Sequence, residues 1–355
     1  MDSERRPRLT PAIADVRRAV RAALPTTGVD QPRIEPVEIQ GVVETSPASN
    51  LVLVALSGGA DSLALAAATA FEAPRAGLRA GAVIVDHGLQ TGSADVAARA
   101  ADQARSLGLE PVVVREVSVG SAGGPEAAAR DARYAALEEV AREVGATLVL
   151  LGHTLDDQAE TVLLGLARGS GAASLSGMAP STSSGTGKVA YARPLLDIRR
   201  ATTVQFCLDS GLDPWTDPQN SDPAFARVRV RETVLPMLER ELGPGIVEAL
   251  ARTAAGLRED GEALDHFAGE LAEELADLAE SGISLPVRAL AINPAALRQR
   301  LIRLAVESEF HVSLTRAQTL EVARLVTHWH GQKPLDLPGV RVERRGGLLI
   351  FTSNR

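Results

Sequence analysis

Ser57-Gly58-Gly59-Ala60-Asp61-Ser62 has the residue types of a turn that binds phosphate. Glycines let backbone N–H groups point into one concavity, and a helix starting just after them adds its positive end. Neither Gly-x-x-x-x-Gly-Lys-Ser/Thr nor Gly-x-Gly-x-x-Gly is present, so no lysine waits for a γ-phosphate and no dinucleotide fingerprint is met. An aspartate beside bound phosphate is repulsive unless a divalent cation bridges them, so Asp61 predicts Mg²⁺. The glycines alone would be explained by a strand-to-helix turn capped by Asp and Ser. His153-Thr154-Leu155-Asp156-Asp157-Gln158-Ala159-Glu160-Thr161 is the most loaded segment. Asp157 and Glu160 share a helix face, and Asp156 lies one i,i+4 step from Glu160. Capping and the macrodipole need one such acid; three acids and a histidine can bind a cationic substrate, hold Mg²⁺ or accept a proton. Glu126, Arg130 and Arg133 are within helical reach of one another, as a surface ion-pair set or as arginines facing an anion.

The elements that must position these groups are legible in the apolar pattern. Leu51-Val52-Leu53-Val54-Ala55-Leu56 is an apolar run of strand length, and Asp61 to Ala68 reads as helix. The unit repeats: a strand at Ala82-Val83-Ile84-Val85, a helix from Ala94 to Leu107, a strand from Pro111 to Val117, a helix from Glu126 to Val144, a strand at Thr147 to Leu151, and a helix from Asp156 to Ala167. Such alternation predicts an α/β domain with a Rossmann-like parallel sheet covered on both faces. Asp86-His87 and Gly152-His153 end strands, and ligands of open parallel sheets bind outside the carboxyl ends of strands, so both pairs share a crevice with Ser57. Residues 170–190 read as a mobile Gly/Ser-rich loop. A helix to about Gly211, a turn-rich piece from Asp213 to Asn220, long helices over 225–280 broken near Gly243-Pro244-Gly245, and a short β-rich end follow. The parse is a lead of helix and irregular tether (1–50), a catalytic domain (51–224) and a mainly helical domain (225–355).

The 355 residues carry a net charge of −8, with 45% apolar and 23% charged residues, which excludes a disordered or collagen-like chain. Charge is uneven: residues 232–280 carry −10 and residues 281–355 carry +6, and the basic end hints at nucleic-acid contact. The single cysteine, Cys207, excludes a disulfide framework or a multi-cysteine metal site and reads as a core residue. Trp329, between His328 and His330, reads as core packing beside Leu325. No run approaches the ~20 apolar residues of a membrane helix, and Arg17, Arg18 and Arg21 interrupt any signal core, so the expected home is the reducing cytosol, with no membrane partner.

The loop of residues 57–62, Val85-Asp86-His87-Gly88-Leu89, Ala129-Arg130-x-x-Arg133-Tyr134, Gly152-His153-x-x-Asp156-Asp157-Gln158-Ala159-Glu160-Thr161, Arg168-Gly169-Ser170-Gly171, Arg193-Pro194-Leu195-Leu196 and Asp217-Pro218-x-Asn220 occur in order. Together they resemble the bacterial tRNA(Ile)-lysidine synthases of the PP-loop ATP pyrophosphatase superfamily. The likeness covers residues 51 to about 240 and is weaker over 241–355. Thr154 and Val228 depart from the family's usual His and Asn and carry no role here, and the lead before Leu51 is unusual. The resemblance implies that ATP adenylates the C2 oxygen of the wobble cytidine of a minor isoleucine tRNA with a CAU anticodon. Free L-lysine then displaces AMP, and the codon read changes from AUG to AUA. It implies ATP binding by Ser57, Gly58, Gly59, Ala60, Asp61, Ser62, Asp86 and His87, with Mg²⁺ on Asp61, in a monomer or homodimer. It also implies lysine binding by Arg133, His153, Asp157 and Glu160, catalysis by Asp61, His153, Asp157 and Glu160, and tRNA binding by Arg227, Arg229 and Arg231. The rivals are a PP-loop enzyme that thiolates tRNA, which the lone cysteine disfavours, and a non-catalytic adenine-nucleotide module, which has no need of the acidic cluster.

Overall fold

A computed structural model describes residues 9–25, 50–88, 92–120, 125–169, 171–217, 222–275, 277–279 and 282–354. The tether at 26–49 and the motif residues Leu89, Ser170, Pro218 and Asn220 lie outside the described residues, as does the side chain of Glu126. Two compact units divide the chain, Met1–Ala255 and Gly256–Arg355.

In the first unit β1 (Leu51–Ala55) is buried along its whole length, because Val52, Val54 and Leu56 enter the core on one face while Leu51, Leu53 and Ala55 enter it on the other. It pairs in parallel with β2 (Arg79–Asp86) and with β4 (Leu148–Leu151), and β3 (Val112–Glu116) lies beyond β2. Residues 171–192 are more regular than the mobile loop expected of 170–190. They hold α6 (Ala172–Leu175), the edge strand β5 (Ser181–Ser183) and β6 (Ala190–Ala192), completing the order β3-β2-β1-β4-β6-β5. The pairing is the reason: β6 adds in parallel to β4, and β5 folds back antiparallel upon it, so sheet hydrogen bonds organise a polar segment of no apolar period. Since β1 leads to β2 on one side and has β4 on the other, the carboxyl ends of β1 and β4 frame a switch-point crevice.

Helices cover both faces: α2 (Ala60–Glu72), α3 (Ser93–Ser106), α4 (Pro125–Val144), α5 (Leu155–Ala167) and α7 (Arg200–Asp209). The N-terminal lead supplies α1 (Pro11–Ala23), capped by Thr10, whose Ile13, Val16 and Val20 are buried in the same core as α2 and α7. Arg21 meets buried Glu72 of α2 with bonds of 2.8 and 3.0 Å, and the Thr10 hydroxyl donates to Asp209 of α7 at 2.5 Å. Beyond residue 224, α8 (Ala226–Arg229), a π-helical turn (Val230–Val234) and α9 (Leu235–Leu242) follow, with α10 (Ile246–Leu275) after the Gly243-Pro244-Gly245 break. Leu235 and Val247 share a small core with Leu155 and Ala159 of α5, so the compact boundary falls inside α10 and not at residue 225.

The second unit is mainly helical, with α11 (Val287–Ile292), α12 (Ala295–Phe310) and α13 (Arg316–Thr327). It also carries a five-stranded sheet in the order β7 (Asp277–Ala279), β8 (Gly282–Pro286), β11 (Leu348–Ser353), β10 (Val340–Arg345) and β9 (Leu335–Leu337). Trp329 is not core: it lies just past α13, 39% exposed, with the Arg344 guanidinium 5.1 Å from its ring centroid.

Candidate active site

The loop after β1 is built to keep donors open. Gly58 has φ +86°, where L side chains are strained, and α2 begins directly after Gly59, so its first-turn N–H groups have no partner within the helix. The Ser62 hydroxyl accepts from the Ser57 N–H at 3.1 Å and donates to the Gly59 carbonyl at 3.0 Å, closing the turn on itself. Gly152, at the end of β4, comes so close that a Cβ there would lie 3.1 Å from the Ser62 backbone, which would have to give by a few tenths of an ångström to admit one.

The acids gather on one guanidinium. Arg200, the first residue of α7, contacts Asp61 through Nε at 3.2 Å, Asp157 through Nη2 at 2.7 Å and Glu160 through Nη1 at 3.2 Å. Its backbone N–H donates to Asp156 at 2.7 Å. Glu160 is fully buried and also receives Arg231, with bonds of 2.7 and 3.1 Å, while Arg227 stands 3.9 Å away. Asp157 spends its other oxygen on the Thr154 N–H and hydroxyl at 2.8 and 2.9 Å, a capping box at the start of α5. Burial works to raise the Asp157 carboxyl, but Arg200 and the Thr154 bonds outweigh it and hold it below the usual range. Asp61 is pushed up, chiefly by burial, against the pull of Arg200 and of the Thr203 hydroxyl that donates to it.

Across from the acids lies a positive wall. Arg133 lines both cavities of the site and has no ion-pair partner among the described residues. Burial, reinforced by Arg133, Arg193 and Arg130 against the opposing pull of Asp157, drives His153 down to about 3, and its buried Nδ1 has no hydrogen-bond partner. His87 is lowered in the same sense by burial and Arg133. One cavity, about 230 Å³, is walled mostly by aliphatic side chains such as Val85, Val96 and Leu137, with Asp86 and His87 at its rim. The other, about 610 Å³, is lined by the loop from Gly59 to Ser62 and by His153, Asp157 and Arg200.

Ser57, Gly59, Ala60, Asp61 and Ser62 of the expected loop line these cavities together with Asp86, His87, Arg133, His153 and Asp157; Gly58 lines neither, and Glu160 is joined to the site through Arg200. Asp86 also caps its own turn by accepting from the Gly88 N–H at 2.9 Å. The three arginines assigned to tRNA divide. Their i, i+2, i+4 spacing puts Arg227 and Arg231 on the inward face of a helix, against Glu160, and Arg229 on the other, donating to the Pro223 and Ala224 carbonyls at 2.6 and 2.8 Å. Cys207 is buried, with its thiol pushed up to about 12 by burial, and belongs to the core as expected. Arg200 escaped the sequence reading. A signal existed: Arg199 and Arg200 open a helix, where the macrodipole repels cations, so carboxylate partners were needed.

Fold and site define a PP-loop ATP-binding protein, and the model of the PP-loop domain matches residues 35–238. A second model, described as the TilS substrate binding domain, matches residues 285–349. The tRNA(Ile)-lysidine synthase of Leifsonia xyli subsp. xyli is 65% identical over 302 residues, 85% of this chain and 89% of that one. That of Thermobifida fusca is 51% identical over 345 residues, 97% and 98% of the two chains. The chain belongs to the tRNA(Ile)-lysidine synthase family. Among solved structures, the U34-tRNA thiolase NcsA from Methanococcus maripaludis with its [4Fe-4S] cluster shares the fold at a TM-score of 0.53 and 21% identity, over 70% of this chain and 80% of that one.

Proposed function

We propose that this chain ligates free lysine to C2 of the wobble cytidine in a minor isoleucine tRNA with a CAU anticodon, changing the codon it reads from AUG to AUA. The observation that carries the reading is the shared cavity: the phosphate loop, the acids Asp61 and Asp157, neutral His153 and Arg133, which has no ion-pair partner among the described residues, all face one space. ATP places its base in the aliphatic cavity and its phosphates on the loop. The cytidine C2 oxygen attacks the α-phosphorus, the bond to the bridging oxygen breaks, and pyrophosphate leaves. A loop without a γ-phosphate lysine suits that outcome.

In the second half-reaction the ε-amine of lysine attacks C2 and AMP departs. Arg133 is the side chain available for the lysine α-carboxylate, while Asp157 and Glu160 attract its ammonium charge, which Arg200 and Arg231 must share or yield. Lysine enters with an ε-amine of pKa ~10.4 and must lose a proton before attack. His153 offers an unprotonated nitrogen in the cavity, but its depressed proton affinity makes it a relay and not a store. Among the described residues no set of three or more His, Cys, Asp or Glu can hold a metal by itself. A phosphate-bound Mg²⁺ needs only one or two carboxylates, so the donor set fits, with Asp61 as its residue. Mg²⁺ would supply charge neutralisation between the phosphates and Asp61. Among the described residues no helix is long and apolar enough to cross a membrane, and the reading places the reaction in the cytoplasm.

The test is pyrophosphate release from ATP with tRNA and each amino acid in turn, followed by nucleoside analysis of the product. Lysidine formed only with lysine supports the reading. Bound ATP that is never consumed in the presence of tRNA and lysine overturns it.

A further inference from the structure

Two heterocycles must come together at the loop, the adenine of ATP and the cytosine whose C2 oxygen attacks the α-phosphorus, and the apolar chemistry of the two cavities is unequal. The smaller has aliphatic walls, the usual setting for a single planar base. The larger is lined mainly by loop backbone and charged groups. Among the residues lining either cavity, Trp215 is the one with a benzenoid ring, and it lines both. Its backbone N–H donates to the Gly58 carbonyl at 2.9 Å, so the loop that receives phosphate also anchors the main chain that carries the indole. Two residues earlier, Asp213 is clipped to α3: Arg99 reaches its carboxylate at 2.5 Å, and Gln103 reaches its carbonyl at 2.7 Å. The tryptophan is thus held at both ends of a short strap before any substrate arrives.

We infer that Trp215 is the stacking platform for the pyrimidine extruded from the anticodon loop, holding its C2 oxygen beside the α-phosphate. A base leaving its stack needs a replacement π-face, and aromatic side chains supply it without reading sequence. The smaller cavity offers adenine its aliphatic walls besides the edge it shares with Trp215; nothing else lining the larger cavity offers the cytosine a ring of that kind, since His153 is small and lies among arginines. The inference rests on the reading of the site as a tRNA(Ile)-lysidine synthase centre.

The full chain is tested as Trp215→Phe, Trp215→Leu and Trp215→Ala, measuring ATP affinity by calorimetry and kcat/KM for tRNA by pyrophosphate release. Trp215→Ala should keep ATP affinity within about twofold and lose roughly ten- to a hundredfold in kcat/KM for tRNA, the range for one lost base–aromatic stack. Phe should restore most of that loss and Leu should not; this comparison also decides the matter if the Ala variant folds poorly. In a Trp329→Phe background, Trp215 is the chain's remaining indole, and its emission should change when a CAU anticodon-arm RNA joins the ATP-bound protein. Loss of ATP affinity matching the loss in kcat/KM would put adenine on the indole and overturn the inference. Rescue by Leu equal to Phe, or no loss in any variant, would overturn it as well. If the wild-type chain forms lysidine in the same assay, such a failure touches this inference alone; if it forms none, the functional reading falls with it.

Discussion

Arg200 changes what substitutions at its carboxylate partners will report. Asp157→Asn removes one charge from a pair 2.7 Å apart and disturbs the capping box that orders the start of α5. Lysine transfer should fall by the roughly 2–5 kcal/mol typical of breaking a buried charge pair, while AMP-linked tRNA still accumulates. Trapping that adenylate before lysine is added checks the split, and a melting curve separates the cap, worth about 1 kcal/mol. Asp61→Ala should abolish pyrophosphate release altogether, read in the tRNA-dependent assay, because the loop loses its one carboxylate. His153 yields a pH prediction. Its folded value of about 3 lies below the ordinary 6.5, so the unfolded chain binds the proton first. Its contribution to stability is therefore complete above about pH 6.5 and is lost as pH falls toward 3. In urea titrations from pH 7 to 4, His153→Asn should show a shallower decline than wild type. At this scale the loop and the acids were legible because their chemistry is unusual for where they stand. The pairing of Arg231 with Glu160 was not, because a side chain's partner 71 residues away leaves no local trace.

At the scale of elements, α1 explains the lead that the motif comparison left unexplained. It braces α2 and α7, the two helices whose first turns carry Asp61 and Arg200. Ile13 is 2% exposed in that core, so Ile13→Ala should cost about 2–5 kcal/mol, seen as a lower urea midpoint, with pyrophosphate release falling once α7 loosens. The strands and helices of the parallel sheet were readable from apolar runs because burial on both faces leaves no room for polar alternation. β5 and β6 were not, since Ser181–Ser183 is exposed throughout and owes its conformation to a neighbour strand and not to its own residues. Trp329 was misplaced for a related reason: it follows a helix whose buried face ends with Val326.

Over the whole molecule, the basic C-terminal stretch and the acidic α9–α10 region make opposite demands on a polyanion. Affinity for tRNA should fall steeply with salt while ATP affinity changes little, a contrast that filter binding from 50 to 200 mM salt measures. The length predicts more than one domain, with a boundary read near residue 225; the compact units meet within α10, which runs through that point without a break in pattern. The bond from Thr10 to Asp209 spans 199 positions of sequence. On the ribosome, at about 5–20 residues per second, α1 leaves ahead of its partner helix by roughly 10–40 s. For that interval its apolar face, with Ile13, Val16 and Val20, has at most α2 to pack on and lacks α7, which makes the segment a natural substrate for a chaperone that binds nascent amphipathic helices.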